Sequence, residues 1–255
     1  HRVWRVVATA IAFSSFGLGG LVLRFAVFPW LSWRIRDSAA RARAARRIVQ
    51  RSFAGFIELM RVLGILSYQI RGAEKLARPG LLIVANHPTL IDVVFLISLV
   101  RNADCVVKAS LLANPFTRGP VRTTGYVCND SGAGLIEDCT ASLAAGACLV
   151  IFPEGTRSTP GAPLHLQRGA ANIAVRSGCA LTPVTLRCEP LSLTKGLPWW
   201  QVPARPMVFT IEVGDDISPA PFLAASGGET PAAARRLTTH LHDYFTLEAR
   251  RHAGT

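Results

Sequence analysis

The chain has 255 residues, half of them apolar, which is enough for one substantial core and too few for two equal domains. Its 28 basic and 16 acidic residues leave a net charge of +12, nearly all guanidinium, because Lys75, Lys108 and Lys195 are the only lysines. Nucleic acid, an anionic membrane surface and a phosphorylated substrate all suit that charge, and a mean hydropathy of +0.31 turns the balance toward the membrane and away from nucleic acid.

From Val6 to Leu23 the sequence runs eighteen residues without a charge, and after Arg24 the apolar character resumes in FAVFPWLSW. As a helix this stretch spans ~27 Å, just short of the ~30 Å hydrocarbon core of a bilayer. Four readings stand: a crossing helix, half of a re-entrant hairpin turning near Pro29, a signal peptide, or a buried core helix. The signal-peptide reading is the weaker, since no small-x-small cleavage pattern precedes a polar segment. Residues 34–51 follow, with seven arginines and one acid. Trp30, Trp33 and this block give the apolar stretch the aromatic and cationic flank of a membrane-seated helix; a solvated basic helix is the bland alternative. The apolar pattern SFAGFIELMRVLGILSY, residues 52–68, reads as a continuing helix. Residues 1–71 are therefore taken as membrane-associating helices and 72–255 as a separate α/β domain.

Beyond Gly72 short apolar runs alternate with helix-like stretches. Residues 81–85, 105–109, 125–129, 148–152, 181–188 and 207–213 read as strands, and 92–100, 134–145, 169–177 and 231–250 as helices. This alternation, with strands apolar throughout, predicts an α/β fold: a mixed, mostly parallel sheet flanked by helices. The loop 191–206 carries Trp199 and Trp200, which either dip into lipid or cap the core. Six scattered cysteines without a C-x-x-C pair read as reduced, buried thiols in a cytosolic compartment, and no metal site is expected.

Two strand ends carry chemistry. NHPTLID, residues 86–92, follows the run LLIVA. On one continuous helix His87 and Asp92 would point ~140° apart, so their pairing requires a turn, which Pro88 and Thr89 supply. A carboxylate in the first turn of the following helix can then hold one imidazole nitrogen and raise the basicity of the other, giving a general base at a strand end. The competing reading is that TLID is a capping box, with Asp92 only closing free amides. The second strand end is FPEGTRS, residues 152–158, where Gly155 permits close backbone approach and Arg157 offers a fork for phosphate. Alone it reads more readily as a turn with a surface ion pair.

Together the motifs resemble those of the glycerolipid acyltransferases typified by 1-acylglycerol-3-phosphate O-acyltransferase, whose N-H-x-x-x-x-D and F-P-E-G-T-R-S blocks match in letters, order and separation. LTPVTL, residues 181–186, resembles a proline-bearing fourth block, and the similarity covers roughly 72–215. The resemblance implies that His87 is the base acting on an acceptor hydroxyl and Asp92 its orienting partner. Glu154, Gly155, Thr156 and Arg157 would bind the acceptor, with Asn86 beside them. It implies no cofactor or metal, an acyl-CoA or acyl-ACP thioester as donor, a lysophospholipid as acceptor, and a place at the cytoplasmic face of an inner membrane. One departure stands out: a second block ending in arginine is expected, and GYVCNDS has Ser131 there, with Asp130 adjacent and Arg122 upstream as a substitute anchor. The acceptor could then be a lyso-ornithine lipid or another specialised lipid, or the chain a catalytically silent, basic membrane-binding protein.

Overall fold

A computed structural model describes residues 2–107, 118–128, 134–198 and 200–251. The chain opens with a helical hairpin. Helix α1 (Arg2–Val22) runs through a π-helical turn (Leu23–Val27) directly into α2 (Phe28–Arg34), and the reversal comes after Arg34, before α3 (Ser38–Val62). The chain does not turn near Pro29, as the re-entrant reading required: Pro29 lies in the first turn of α2, just past the π-helical turn, and the helix continues through it to Arg34. Asp37 caps α3, accepting from Ala40 N–H at 2.6 Å. The arms pack flank to flank: Trp4 Nε1 donates to Leu63 O at the far end, and Phe16 meets Phe53 and Phe56 midway.

α3 ends at Val62, and Gly64 takes φ +71° in the left-handed region that closes many helices. Residues beyond it form strand β1 (Leu66–Arg71), where continued helix was expected through Tyr68. Six more strands follow: β2 (Leu82–Ala85), β3 (Ala103–Val107), β4 (Val127–Cys128), β5 (Cys148–Ile151), β6 (Leu181–Glu189) and β7 (Met207–Val213). Their order is β1-β7-β6-β2-β5-β3-β4, parallel throughout except for β6 against β7. The sheet is thus mixed and mostly parallel, as its apolar strands imply. β1 pairs with β7 along its whole length, so the boundary drawn at residue 71 cuts through the sheet.

β2 sits at the centre with both faces buried. Ile83 and Ala85 join a core under α3 and α4 (Asp92–Leu99); Leu82 and Val84 join a second core. That second face is covered by helices α6 (Gly134–Ala144), α7 (Gly169–Ser177) and α9 (Thr230–Arg251). Two short helices, α5 (Arg118–Thr124) and α8 (Ala220–Ala224), and a 3-10 turn (Ala73–Ala77) complete the described elements. Residues 108, 109 and 129, expected in strands, lie outside the described residues, as do Asp130, Ser131 and Trp199.

The arginine block of α3 serves two ends. Arg43, Arg47 and Arg51 are exposed, but Arg46 turns inward. Its Nη2 meets Asp104 Oδ2 at 2.7 Å and Gly125 O at 3.1 Å, and its Nε donates to Thr124 O at 2.8 Å. Ser142 donates to the same carboxylate oxygen. A buried guanidinium so fully paired bolts the hairpin to β3 and to the α5–β4 turn, a use of charge that the block's composition does not reveal.

Candidate active site

β2, β5 and β6 are parallel neighbours, so their carboxyl ends open on one edge of the sheet, where open α/β sheets bind ligands. The β2–β5 register pairs Val84 with Ile151; carried three residues further, it sets His87 opposite Glu154. The two motifs are in fact stitched together there. His87 N–H donates to Glu154 Oε1 at 2.9 Å, Ser158 Oγ–H donates to the same oxygen at 2.9 Å, and Ser158 N–H donates to His87 O at 2.7 Å.

His87 Nδ1 lies 2.9 Å from Asp92 Oδ2. Pro88 and Thr89 make the needed turn, and Asp92 opens α4 with no exposed surface. Thr89 N–H donates to Asp92 Oδ2 at 2.6 Å and Thr89 Oγ1–H to Oδ1 at 2.5 Å. One carboxylate therefore closes the helix start and holds the imidazole, so the capping and orienting readings are both realised. Burial pushes the Asp92 carboxyl above its ordinary range, against the pull of the hydrogen bonds from His87 and Thr89. With Oδ2 accepting from Nδ1–H, Nε2 is left as the lone-pair nitrogen, and the Phe152 ring stacks on the imidazole at 4.4 Å between centroids.

The remaining candidate residues take different positions. The Asn86 side chain forms a peptide-like pair with Leu186, its Nδ2 donating to O at 2.9 Å and its Oδ1 accepting from N–H at 2.7 Å; it extends the β2–β6 ladder by one step. Arg157 Nη1 donates to Leu193 O (3.1 Å) and Thr194 O (3.0 Å), tying the turn to the β6–β7 loop. Gly155 and Thr156 are exposed. Gly155 sits at φ +67°, a left-handed conformation that favours glycine, and a Cβ there would stand 2.6 Å from Gln167 Nε2, the movable end of that side chain. Arg122 is exposed on α5, and none of its hydrogen bonds among the described residues reaches the histidine cluster.

Thr89, Phe152, Ser158 and Gln167 are given no site role by the sequence, Thr89 being read only as part of the turn and the capping box. The first three lie inside the quoted motifs, at positions whose letters carry no chemistry of their own; Gln167 has no signal, since its role follows from the fold-back in which its N–H donates to Pro153 O at 2.7 Å. Among the described residues no group of three or more histidine, cysteine or acidic side chains could hold a metal ion.

Residues 67–187 match the Acyltransferase family. A 1-acyl-sn-glycerol-3-phosphate acyltransferase of Chlamydomonas reinhardtii is 32% identical over 124 residues, 46% of this chain and 37% of that protein. The Pseudomonas aeruginosa protein of the same description is 28% identical over 149 residues, 56% of this chain and 58% of its own. The chain thus spans between 37% and 58% of the length of these relatives. In fold it is similar to the crystal structure of the 1-acyl-sn-glycerophosphate (LPA) acyltransferase PlsC from Thermotoga maritima, with a TM-score of 0.67 at 20% identity, over 96% of this chain and 98% of that one.

Proposed function

We propose, from the match of residues 67–187 to the Acyltransferase family, that the chain moves a fatty acyl group from a thioester to the hydroxyl of a lysophospholipid such as 1-acylglycerol-3-phosphate. The observation that carries the reading is the His87–Asp92 contact at a strand end stitched to the Glu154 turn. Nε2 of His87 takes the proton from the acceptor hydroxyl as its oxygen forms a bond to the thioester carbonyl carbon. Asp92 stabilises the imidazolium. The tetrahedral adduct then collapses, the carbon–sulfur bond breaks, and the departing thiolate receives that proton. The step needs no enzyme nucleophile and no metal. Glu154 fixes the backbone of His87, and Gly155, Thr156 and Arg157 line the mouth where an anionic head group would rest.

The donor is an acyl-CoA or acyl-ACP, either of which is acidic enough to be drawn to a chain of net charge +12. The acceptor lies in a membrane. The 3–34 segment is the one described helix long and apolar enough to cross a bilayer, and most of its surface is exposed. Yet it is packed along its flank by α3, whose Arg43, Arg47 and Arg51 would be dragged into hydrocarbon by a crossing. A hairpin lying at the cytoplasmic interface keeps the apolar face in lipid and the arginines among head groups.

Ser131 at the position of the expected arginine favours a second acceptor, one with a different head group such as a lyso-ornithine lipid. Purified protein given radiolabelled acyl-CoA and vesicles carrying either lysolipid separates the two. Labelled phosphatidic acid supports the first; label only in the other lipid replaces the acceptor; label in neither, with acyl-ACP tried as donor, removes the function.

A further inference from the structure

The loop between β6 and β7, residues 190–206, has a fastened inner side and a projecting tip. Ser192, Leu193 and Thr194 are buried. The Leu193 carbonyl accepts from Leu90 N–H (3.0 Å) and from Arg157, so the loop grips both catalytic motifs, two residues from Asp92 and three from Glu154. At its other end Arg5 Nη2 donates to Ala204 O at 2.5 Å, fastening the loop to the start of α1. Between these anchors the tip is folded on itself, with Gln201 N–H donating to Pro198 O (3.1 Å) and Val202 N–H to Trp200 O (2.9 Å).

From this framework large apolar side chains face outward: Leu191 is 47% exposed, Leu197 44% and Trp200 59%, with Leu90 at 43% beside them. We propose that this loop is a second membrane-docking element, whose tip enters the head-group and acyl boundary of an anionic bilayer beside His87 and turns the mouth of the site toward the lipid. The proposal rests on the reading that the acceptor is a membrane lipid.

Three observations support it. The composition is that of an interfacial anchor, with tryptophan, leucine and proline at the tip, exposed Lys195 and Arg205 flanking it, and no acidic residue from 190 to 206. The Arg5–Ala204 bond holds the loop against the start of α1, where Val3 and Trp4 are exposed, so loop and hairpin both offer apolar side chains to a bilayer. And the anchoring through Leu193 means that a lipid held at the tip meets the backbone that carries the His87 and Glu154 turns, without a gap to cross.

The test uses a full chain in which Trp4, Trp30, Trp33 and Trp199 are replaced by Phe, leaving Trp200 as the only indole. On vesicles of phosphatidylcholine and phosphatidylglycerol with brominated acyl chains, Trp200 emission should shift to the blue and be quenched, most strongly by bromines near the head group. Unchanged emission in a protein that sediments with the vesicles overturns the proposal, as does a shift produced only by added acyl carrier protein. In the native background, Leu197→Asp with Trp200→Asp should weaken partition into vesicles about tenfold or more and lower acylation of a vesicle-embedded lysolipid in parallel. Acylation of a short-chain lysophosphatidic acid dissolved as monomers should persist. Quenching of Trp200 without acylation of either acceptor by the parent chain would sink the enzymatic reading and leave the loop assignment standing.

Discussion

Replacing Asp92 by asparagine separates what the carboxylate does by shape from what it does by charge. Thr89 N–H can only donate, and it points at Oδ2 from 2.6 Å. The amide introduced by Asp92→Asn must therefore set its oxygen there and its nitrogen toward Thr89 Oγ1, which turns from donor to acceptor. That oxygen still accepts from His87 Nδ1–H, so the tautomer survives and only the charge is lost. With the charge centres of an imidazolium–carboxylate pair about 4 Å apart, the attraction is at most ~4 kcal/mol at an effective dielectric constant of 20. Swapping a charged for a neutral acceptor in one hydrogen bond sets a floor near ~1 kcal/mol. Asp92→Asn should accordingly lower kcat by roughly five- to a thousandfold, at ~1.4 kcal/mol per decade. Stability should move the other way. The folded-state pKa of Asp92 lies above its unfolded value, so the native protein holds this proton to higher pH, and the group's contribution to stability declines as pH rises through that window. The neutral amide of the variant shows no such decline. Urea unfolding should show the variant at least as stable as the parent at neutral pH, with less advantage in acid, while thioester assays show the loss of rate. Full activity in Asp92→Asn, or a fall in stability equal to that of Asp92→Ala, would refute the reasoning.

Two further substitutions probe the frame around the site. Gly155→Ala forces a side chain into the left-handed region and into Gln167, and should cost about 1–3 kcal/mol in unfolding while lowering activity by displacing Glu154 from His87 N–H. Arg46→Met strands the buried Asp104 carboxylate and should destabilise the protein by about 3–5 kcal/mol, measured by denaturant unfolding; adding Asp104→Leu should recover a large part, and no recovery would mean that the pair is not coupled.

The centre of this fold is legible in the sequence because local signals agree there. Strands β2, β5, β6 and β7 are apolar runs closed by turn residues, and their ends carry two distinctive motifs. What stays hidden is long-range. β1 follows α3 in unbroken apolar register, with Gly64 alone marking the change, and its strand character comes from pairing with β7, some 140 positions away. Arg46 looks like its six neighbours in the basic block until Asp104, Thr124 and Gly125 fold against it. Asn86 reads as a site residue by adjacency, whereas its carboxamide is spent on Leu186, a hundred residues on. The four buried thiols at Cys105, Cys139, Cys148 and Cys188 sit as small apolar groups in the two cores on either side of the sheet.

The central claim is that the imidazole of residue 87 removes the acceptor's proton. Its most direct test is the single-turnover rate of acyl transfer by His87→Ala against the parent chain, at equal amounts bound to the same vesicles. The account predicts a fall of about 10²–10⁴-fold with unchanged vesicle binding and unfolding. A rate within a few-fold of the parent would contradict it.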